Sequence, residues 1–251
     1  MVGWARSIAA AAAPNFTRLQ LELGANNAAI VLDGADLQAT AESLVTGFTK
    51  LSGQWCEAPR RVIVVGGTGP LVDALEARLA SMTIGSSLDD ATELGPVAFA
   101  ARRDELNRQR DALAAAGGSV RVVGAIPEKG YFVAPTLIEG AHLDPVDEVF
   151  GPMLAIRSAR DEAEAVRMAN DGPVGLAGYV FGPDEGQARY LGARIDAGEI
   201  KVNGTSVLDM ASDSVQSFFG SAGIGGHGDA DLLNFFVGQR IVGIDAPGLP
   251  L

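Results

Sequence analysis

Cysteine is almost absent from this chain: its 251 residues contain one, Cys56, alongside two histidines, His142 and His227. A single thiol excludes an intrachain disulfide and any cysteine-rich zinc site. Two histidines are too few for a histidine-based metal cluster. Positive charge is scarce as well, with 19 Lys and Arg against 31 Asp and Glu, for a net charge of −12. Such a surface repels phosphate backbones and anionic lipid, so no nucleic acid and no membrane is expected as a partner. Long apolar runs are missing too, and none approaches the length that spans a bilayer. The Ala-rich opening "MVGWARSIAAAAAP" has a weakly basic start and a brief apolar stretch, and it reads as the end of a helix rather than a signal peptide. What is present is an ordinary globular balance, 47% apolar and 20% charged, enough for a sizeable core. The expectation is a soluble, cytoplasmic protein.

Short β-branched runs alternate with amphipathic stretches. "NAAIVL" (27–32), "RVIVV" (61–65), "SVRVV" (119–123), "MLAI" (153–156), "GYVF" (178–181) and "EIKVN" (199–203) read as strands. After Asp36, a capping residue, Leu37, Ala41, Leu44, Val45, Phe48 and Leu51 recur at helical spacing until Gly53 supplies a stop. Further helices are expected over 96–116, 161–170 and 184–197. This alternation predicts an α/β fold, a mostly parallel sheet flanked by helices.

"RVIVVGGTGPLVDALEARL" imitates a dinucleotide fingerprint. After Gly67 and Gly69, however, Val72 stands where close helix–strand packing wants Gly or Ala. A tight β–α turn is the simpler reading.

Taken alone, Cys56 in "SGQWCEAPRR" reads as a small buried side chain, and Glu22 in "LQLELGA" as a solvated carboxylate at a strand end. His142 and His227 read as loop histidines without a catalytic role. Together the segments say more. "LELGANNAAIVLDGADL", a helix, "GQWC", then "YFVAPTLIEG", "DEVFGP", "ANDGPVGLAGYVF", "GEIKVNG" and "FGSAGIG" follow one another in an order and spacing that resemble the aldehyde dehydrogenase superfamily. The resemblance runs from about Gly3 into the "SFFGSAGIGGHGD" tail.

That resemblance implies a chemistry. A cysteine thiolate adds to an aldehyde, the oxyanion is held by a backbone N–H and a side-chain amide, hydride leaves for NAD or NADP, and a glutamate activates water against the thioester. By motif, Cys56 is the nucleophile and Glu22 the base. Glu148 holds the nicotinamide ribose hydroxyls, Phe150 packs near the ring, and Asn203 braces a strand end. The substrate implied is a small aldehyde or acyl compound. The resemblance further implies that residues 1–25 correspond to the last helix and strand of a cofactor-binding domain, and 26–251 to the catalytic domain and tail. It places most of the dinucleotide-binding region outside this sequence, so a homo-oligomer or a partner chain supplying the missing half is expected, with strand 18–23 offering an unpaired edge. Three local departures stand out: Ala25 for a glycine, Asn26 where lysine is common, and Glu57 beside the thiol. A neighbouring carboxylate and the end of the preceding helix both disfavour the thiolate, and Arg60 or Arg61 could offset them. Two other functions stay open: a nicotinamide-independent Cys/Glu thioesterase or acyl-transfer enzyme, and a non-catalytic binding or scaffold protein.

Overall fold

The computed structural model describes residues 2–140, 148–206, 214–238 and 240–243. The expected fold class is the one observed. A seven-stranded sheet has the order β4 (Ser119–Val122), β5 (Thr136–Glu139), β6 (Met153–Ala159), β3 (Arg61–Val65), β2 (Ala28–Val31), β8 (Ala177–Phe181), β9 (Glu199–Val202). Every pairing in it is parallel except β4 with β5. The central strands are buried on both faces, and their side chains alternate between two cores. Ala29, Val31, Val62 and Val64 join one cluster with α2 (Leu37–Thr49) and α3 (Gly69–Ala80). Ala28, Ile30 and Ile63 join the other with α5 (Glu162–Ala169) and α6 (Glu185–Gly192). The result is a three-layer α/β/α stack.

Helix starts follow the aspartates. Asp36 accepts from the N–H groups of Gln38 and Ala39, Asp161 from that of Glu164, and Asp184 from that of Gln187. The fingerprint-like stretch is a plain β3–α3 turn. Expectation and structure differ in four places. The helix α2 ends at Thr49, so Leu51, expected on its apolar face, lies beyond it, exposed and left-handed. The helix α4 spans Ala100–Ala115 rather than beginning at Pro96, since the segment before it runs extended and Val97 N–H bonds Tyr131 O. The helix α6 stops at Gly192, where a Cβ would lie 2.6 Å from Ile200. The strand β5 was not anticipated.

The N-terminal region consists of α1 (Val2–Ala12) and the two-residue strand β1 (Leu21–Glu22). Its expected free edge is partly taken, because β1 pairs antiparallel with β12 (Gly223–Ile224) of the tail. Glycine is needed at 223: its φ is +156°, and a Cβ there would lie 1.8 Å from Leu21 O. The remaining tail strands are equally short. β11 (Phe219–Gly220) pairs with β7 (Val174–Gly175), and β10 (Gln216–Ser217) with β13 (Gly226–His227). Arg18 caps the C-terminal end of α7 (Asp229–Phe236) by donating to the carbonyls of Asn234, Phe235 and Val237. Among the described residues no helix is long and apolar enough to cross a membrane.

Leu44 is completely buried at the centre of the α2–α3 side of the core. Leu44→Ala is expected to cost about 2–5 kcal/mol. Chemical denaturation checks this, with a lower midpoint and an unchanged slope.

Candidate active site

The site lies at an unexpected end of the sheet. Open α/β sheets place ligands beyond the carboxyl ends of their strands. Here the relevant loops all precede strands: 22–27 before β2, 54–60 before β3, 148–152 before β6, and Leu176 before β8. Together they form a cleft of about 650 Å³. Glu22, Cys56, Glu148 and Phe150 all line it, so the four residues marked by sequence share one cavity. Gly24, Ala25, Trp55, Phe99 and Arg102 complete most of the wall.

The cysteine loop is held in an unusual backbone shape. Leu51, Ser52 and Gly53 have φ of 51°, 58° and 72°, three consecutive left-handed residues. Two of them carry side chains, at a cost of order 1–3 kcal/mol each. Surrounding bonds hold the turn. Ser52 Oγ donates to Gly95 O and Pro96 O, both at 3.0 Å. The turn also packs directly on the next segment: a Cβ on Gly53 would lie 2.2 Å from the Gly151 carbonyl carbon.

Arg60 joins these pieces. It is buried, and its guanidinium donates to Gly53 O (2.6 Å), Trp55 O (3.0 Å) and Gly151 O (2.8 Å). The first two lie in the cysteine loop, the third in the loop bearing Glu148 and Phe150. The Phe150 ring sits 5.4 Å from that guanidinium and 5.8 Å from that of Arg102, which also donates to Phe150 O at 2.8 Å. Arg61 projects elsewhere, bonding Asn26 O and the final carbonyls of α5 at Met168 and Ala169. Both arginines are thus occupied by carbonyls rather than folded over the thiol. Asn27 does similar work beneath Cys56, with Nδ2 donating to the carbonyls of Cys56 and Ala58 and Oδ1 accepting from Ala177 N–H.

Electrostatically the thiol is discouraged from ionising. Its pKa is pushed from 9.0 up to about 12, first by burial, then by hydrogen bonding to and the charge of Glu22, then by the charge of Glu57. The Glu57 N–H acts in the opposite direction. Glu57 itself is buried, and its Oε2 has no hydrogen-bond partner among the described residues. Burial, with the charges of Glu199 and Glu22, raises it from 4.5 to about 7 against the pull of Lys50 and Lys201. Burial also raises Glu148, while Arg60, the Ala25 N–H (3.3 Å from Oε2) and Arg102 oppose it. Asn203 braces a strand end as expected, exchanging two bonds with Gly182.

Two neighbours of the cleft carry no local signal in the sequence. Arg60 bridges two loops instead of pairing with the thiol. His227 stands in the short strand β13 rather than a loop, with its Nε2 3.6 Å from Glu22 Oε2. His142 lies outside the described residues.

A thiol and carboxylates facing one cleft of a parallel-sheet α/β domain define the class of protein. The chain belongs to the aldehyde dehydrogenase family, whose model matches residues 2–242. Geranial dehydrogenase of Castellaniella defragrans is 35% identical over 206 residues, covering 79% of this chain and 43% of that protein. Succinate-semialdehyde dehydrogenase (NADP(+)) of Mycobacterium leprae is 34% identical, covering 74% of this chain and 42% of that one. The crystal structure of betaine aldehyde dehydrogenase from Staphylococcus aureus in complex with NAD+ matches with a TM-score of 0.85 and 29% identity, covering 93% of this chain and 48% of that one. The chain therefore spans less than half the length of these relatives.

Two measurements probe the site. Arg60→Lys keeps the charge but loses the fork that reaches three carbonyls. Hydrogen exchange is expected to quicken together in 51–58 and 150–153, with a lower melting temperature; exchange confined to one loop would contradict the bridging role. Glu57 provides a pH test. Its folded-state pKa lies above its unfolded value, so the folded chain holds a proton that the unfolded chain releases. The contribution of this group to stability therefore falls as pH rises from 4.5 to about 7 and is level above. Melting temperatures across that window should decline less steeply in Glu57→Gln.

Proposed function

We propose that this chain carries the thiol and general base of an NAD- or NADP-dependent aldehyde dehydrogenase, together with part of its nicotinamide cradle. The observation that carries this reading is the convergence of Cys56, Glu22, Glu148 and Phe150 on one cleft, within a chain of this family. At about 650 Å³ the cleft falls within the usual range for small-molecule sites. Its donor set fits a nicotinamide ribose. Glu148 offers a carboxylate steadied by Arg60, Arg102 and Ala25 N–H, and Gly24 has only Glu148 Oε2 within 4 Å of where a Cβ would stand. In this reading Glu148 holds the ribose hydroxyls and Phe150 packs beside the ring. Bound NAD(P) supplies the hydride acceptor that the side chains lack.

The remaining steps belong to the chain. Cys56 Sγ adds to the aldehyde carbon, and the thiol proton, held firmly at rest, passes to the Glu22 carboxylate as the carbon–sulfur bond forms. Once the acyl group is a thioester and Glu22, whose side chain is 38% exposed, has given the thiol proton to solvent, Glu22 removes a proton from water as the water oxygen attacks the acyl carbon; the carbon–sulfur electron pair returns to Cys56, which takes up the second water proton from the new carboxyl group. A thiol with a pKa of about 12 makes the adjacent base indispensable.

The proposal extends to a partner. Residues 1–25 are read as the end of a cofactor-binding domain and 26–251 as the catalytic domain and tail. Phe16 is 94% exposed and Trp4 53% exposed on the N-terminal region, an apolar surface suited to cover by a second copy or by a chain completing the cofactor half. A nicotinamide-independent thioesterase or acyl-transfer activity is the second reading. It is favoured because Cys56 and Glu22 meet within this one chain, and deacylation needs no hydride acceptor.

Incubation with 4-nitrophenyl acetate tests the shared step. The full chain should acquire an acetyl adduct at Cys56 and release it. Glu22→Gln should accumulate the adduct, with release slowed by about 10²–10⁴-fold, read by intact-mass spectrometry. Ester turnover that survives Cys56→Ala would overturn both readings. Aldehyde-dependent reduction of NAD or NADP separates the first from the second.

A further inference from the structure

Gln216 is 5% exposed, and its Nε2 donates to Leu176 O at 3.1 Å. A carbonyl oxygen can only accept, so this bond fixes which way round the amide lies. Gln216 Oε1 then faces His227 Nδ1 at 3.1 Å and can only accept from it. His227 Nδ1 therefore carries the hydrogen, and a neutral imidazole in that tautomer presents a lone pair at Nε2. That lone pair lies 3.6 Å from Glu22 Oε2. The Phe218 ring, packed edge-on at 4.9 Å, holds the imidazole plane. The strands agree with the side chains: Gln216 and His227 are paired across β10 and β13, while Glu22 stands opposite Gly223 in the neighbouring β1–β12 pair.

Resting on the Cys56–Glu22 reading above, we propose that His227 is the proton acceptor for Glu22, held in its receptive tautomer by Gln216. Glu22 is then a short arm between two stations. On one side it meets the Cys56 thiol and the attacking water; on the other, His227 Nε2. The present gap exceeds a direct hydrogen bond by a few tenths of an ångström, which a small rotation of the glutamate closes. The balance is simple. Water gives its oxygen to the acyl carbon and one proton to Glu22, which passes it to His227 Nε2 and so to solvent; the carbon–sulfur pair returns to Cys56, and the second proton, left on the new carboxyl group, moves to that sulfur and restores the thiol. Release is open because the His227 side chain is 41% exposed. The groups that face His227 are Glu22 from β1, Glu199 from β9, which interacts with it electrostatically, and the neutral Gln216 from β10. Cys56 and Glu57 lie beyond Glu22. His227 and Gln216 are positioning residues in this scheme, acting through Glu22.

The tautomer can be read directly from imidazole nitrogen chemical shifts by NMR on the full chain. The two histidines are told apart by the loss of one signal in His227→Gln, or in His142→Gln should the first variant fail to fold. Neutral His227 is expected in the Nδ1–H form, opposite to the preference of a free imidazole, and Gln216→Leu should restore the Nε2–H form. An Nε2–H tautomer in the wild-type chain would overturn the proposal. Deacetylation of acetyl-Cys56 provides the functional arm. His227→Ala should slow it by about tenfold or more, and added imidazole should restore it, which a purely structural loss would not allow. An unchanged rate, or a loss that imidazole leaves untouched, overturns the relay while the Cys56–Glu22 reading stands. A wild-type chain that never acetylates Cys56 sinks that reading first and this one with it.

Discussion

One buried guanidinium organises the site. Arg60 donates to three carbonyls beneath the cleft, two from the cysteine loop and one from the loop bearing Glu148 and Phe150; Trp55 O and Gly151 O also accept backbone N–H groups, from Ala58 and Met153. Removing water from a cation is costly, and burial accordingly lowers the Arg60 pKa to about 10, with Glu148 opposing the shift. Charge-assisted bonds to carbonyls offset that cost because they replace a hydration shell with fixed dipoles. The bond to Gly151 also accounts for the glycine at 53, since only a residue without a Cβ lets the two loops approach closely enough to share one side chain. The left-handed run at 51–53 is thus the local cost of bringing the thiol over the same guanidinium that steadies Glu148.

The carboxylates follow from that arrangement. Glu22 and Glu148 line the cleft, while Glu57 beside the thiol feels the charges of Glu22 and Glu199, and burial raises Glu57, Glu148 and Glu199. An acidic chain folding its glutamates inward keeps the thiol protonated at rest. In the proposed mechanism, reactivity at Cys56 is consequently a property of the groups around it, above all of where Glu22 sends a proton, and is not stored in the sulfur itself.

Much of the fold was legible because its signals are local. Asp36, Asp161 and Asp184 announce helix starts through their own side chains, and the β-branched runs of β2, β3 and β8 need both faces buried. Strand β5 escaped notice because Thr136–Glu139 is short and framed by Pro135 and Gly140, so it looks like loop until β6 lies beside it. Helix α6 ends sooner than its sequence suggests because the N–H groups of Arg194 and Ile195 bond only three residues back and Asn170, from outside the helix, takes Arg194 O and Asp196 N–H. The four marked site residues were recognisable only through motif order. Neither Cys56 nor Glu22 stands out by composition or periodicity. The contacts of His227 and Arg60 are not legible for one reason: their partners lie on other segments, and nothing beside them in the chain hints at the encounter.

The pairing of Leu21 with Ile224 has a consequence for how the protein comes into being. As the chain leaves the ribosome, the strand bearing Glu22 appears before the whole seven-stranded sheet, and the strand that secures it appears after that sheet. The helices and central strands can assemble meanwhile around contacts closer in sequence. The carboxylate therefore has no fixed address until synthesis has passed Ile224, and until then the newborn domain carries its thiol without Glu22 fastened beside it.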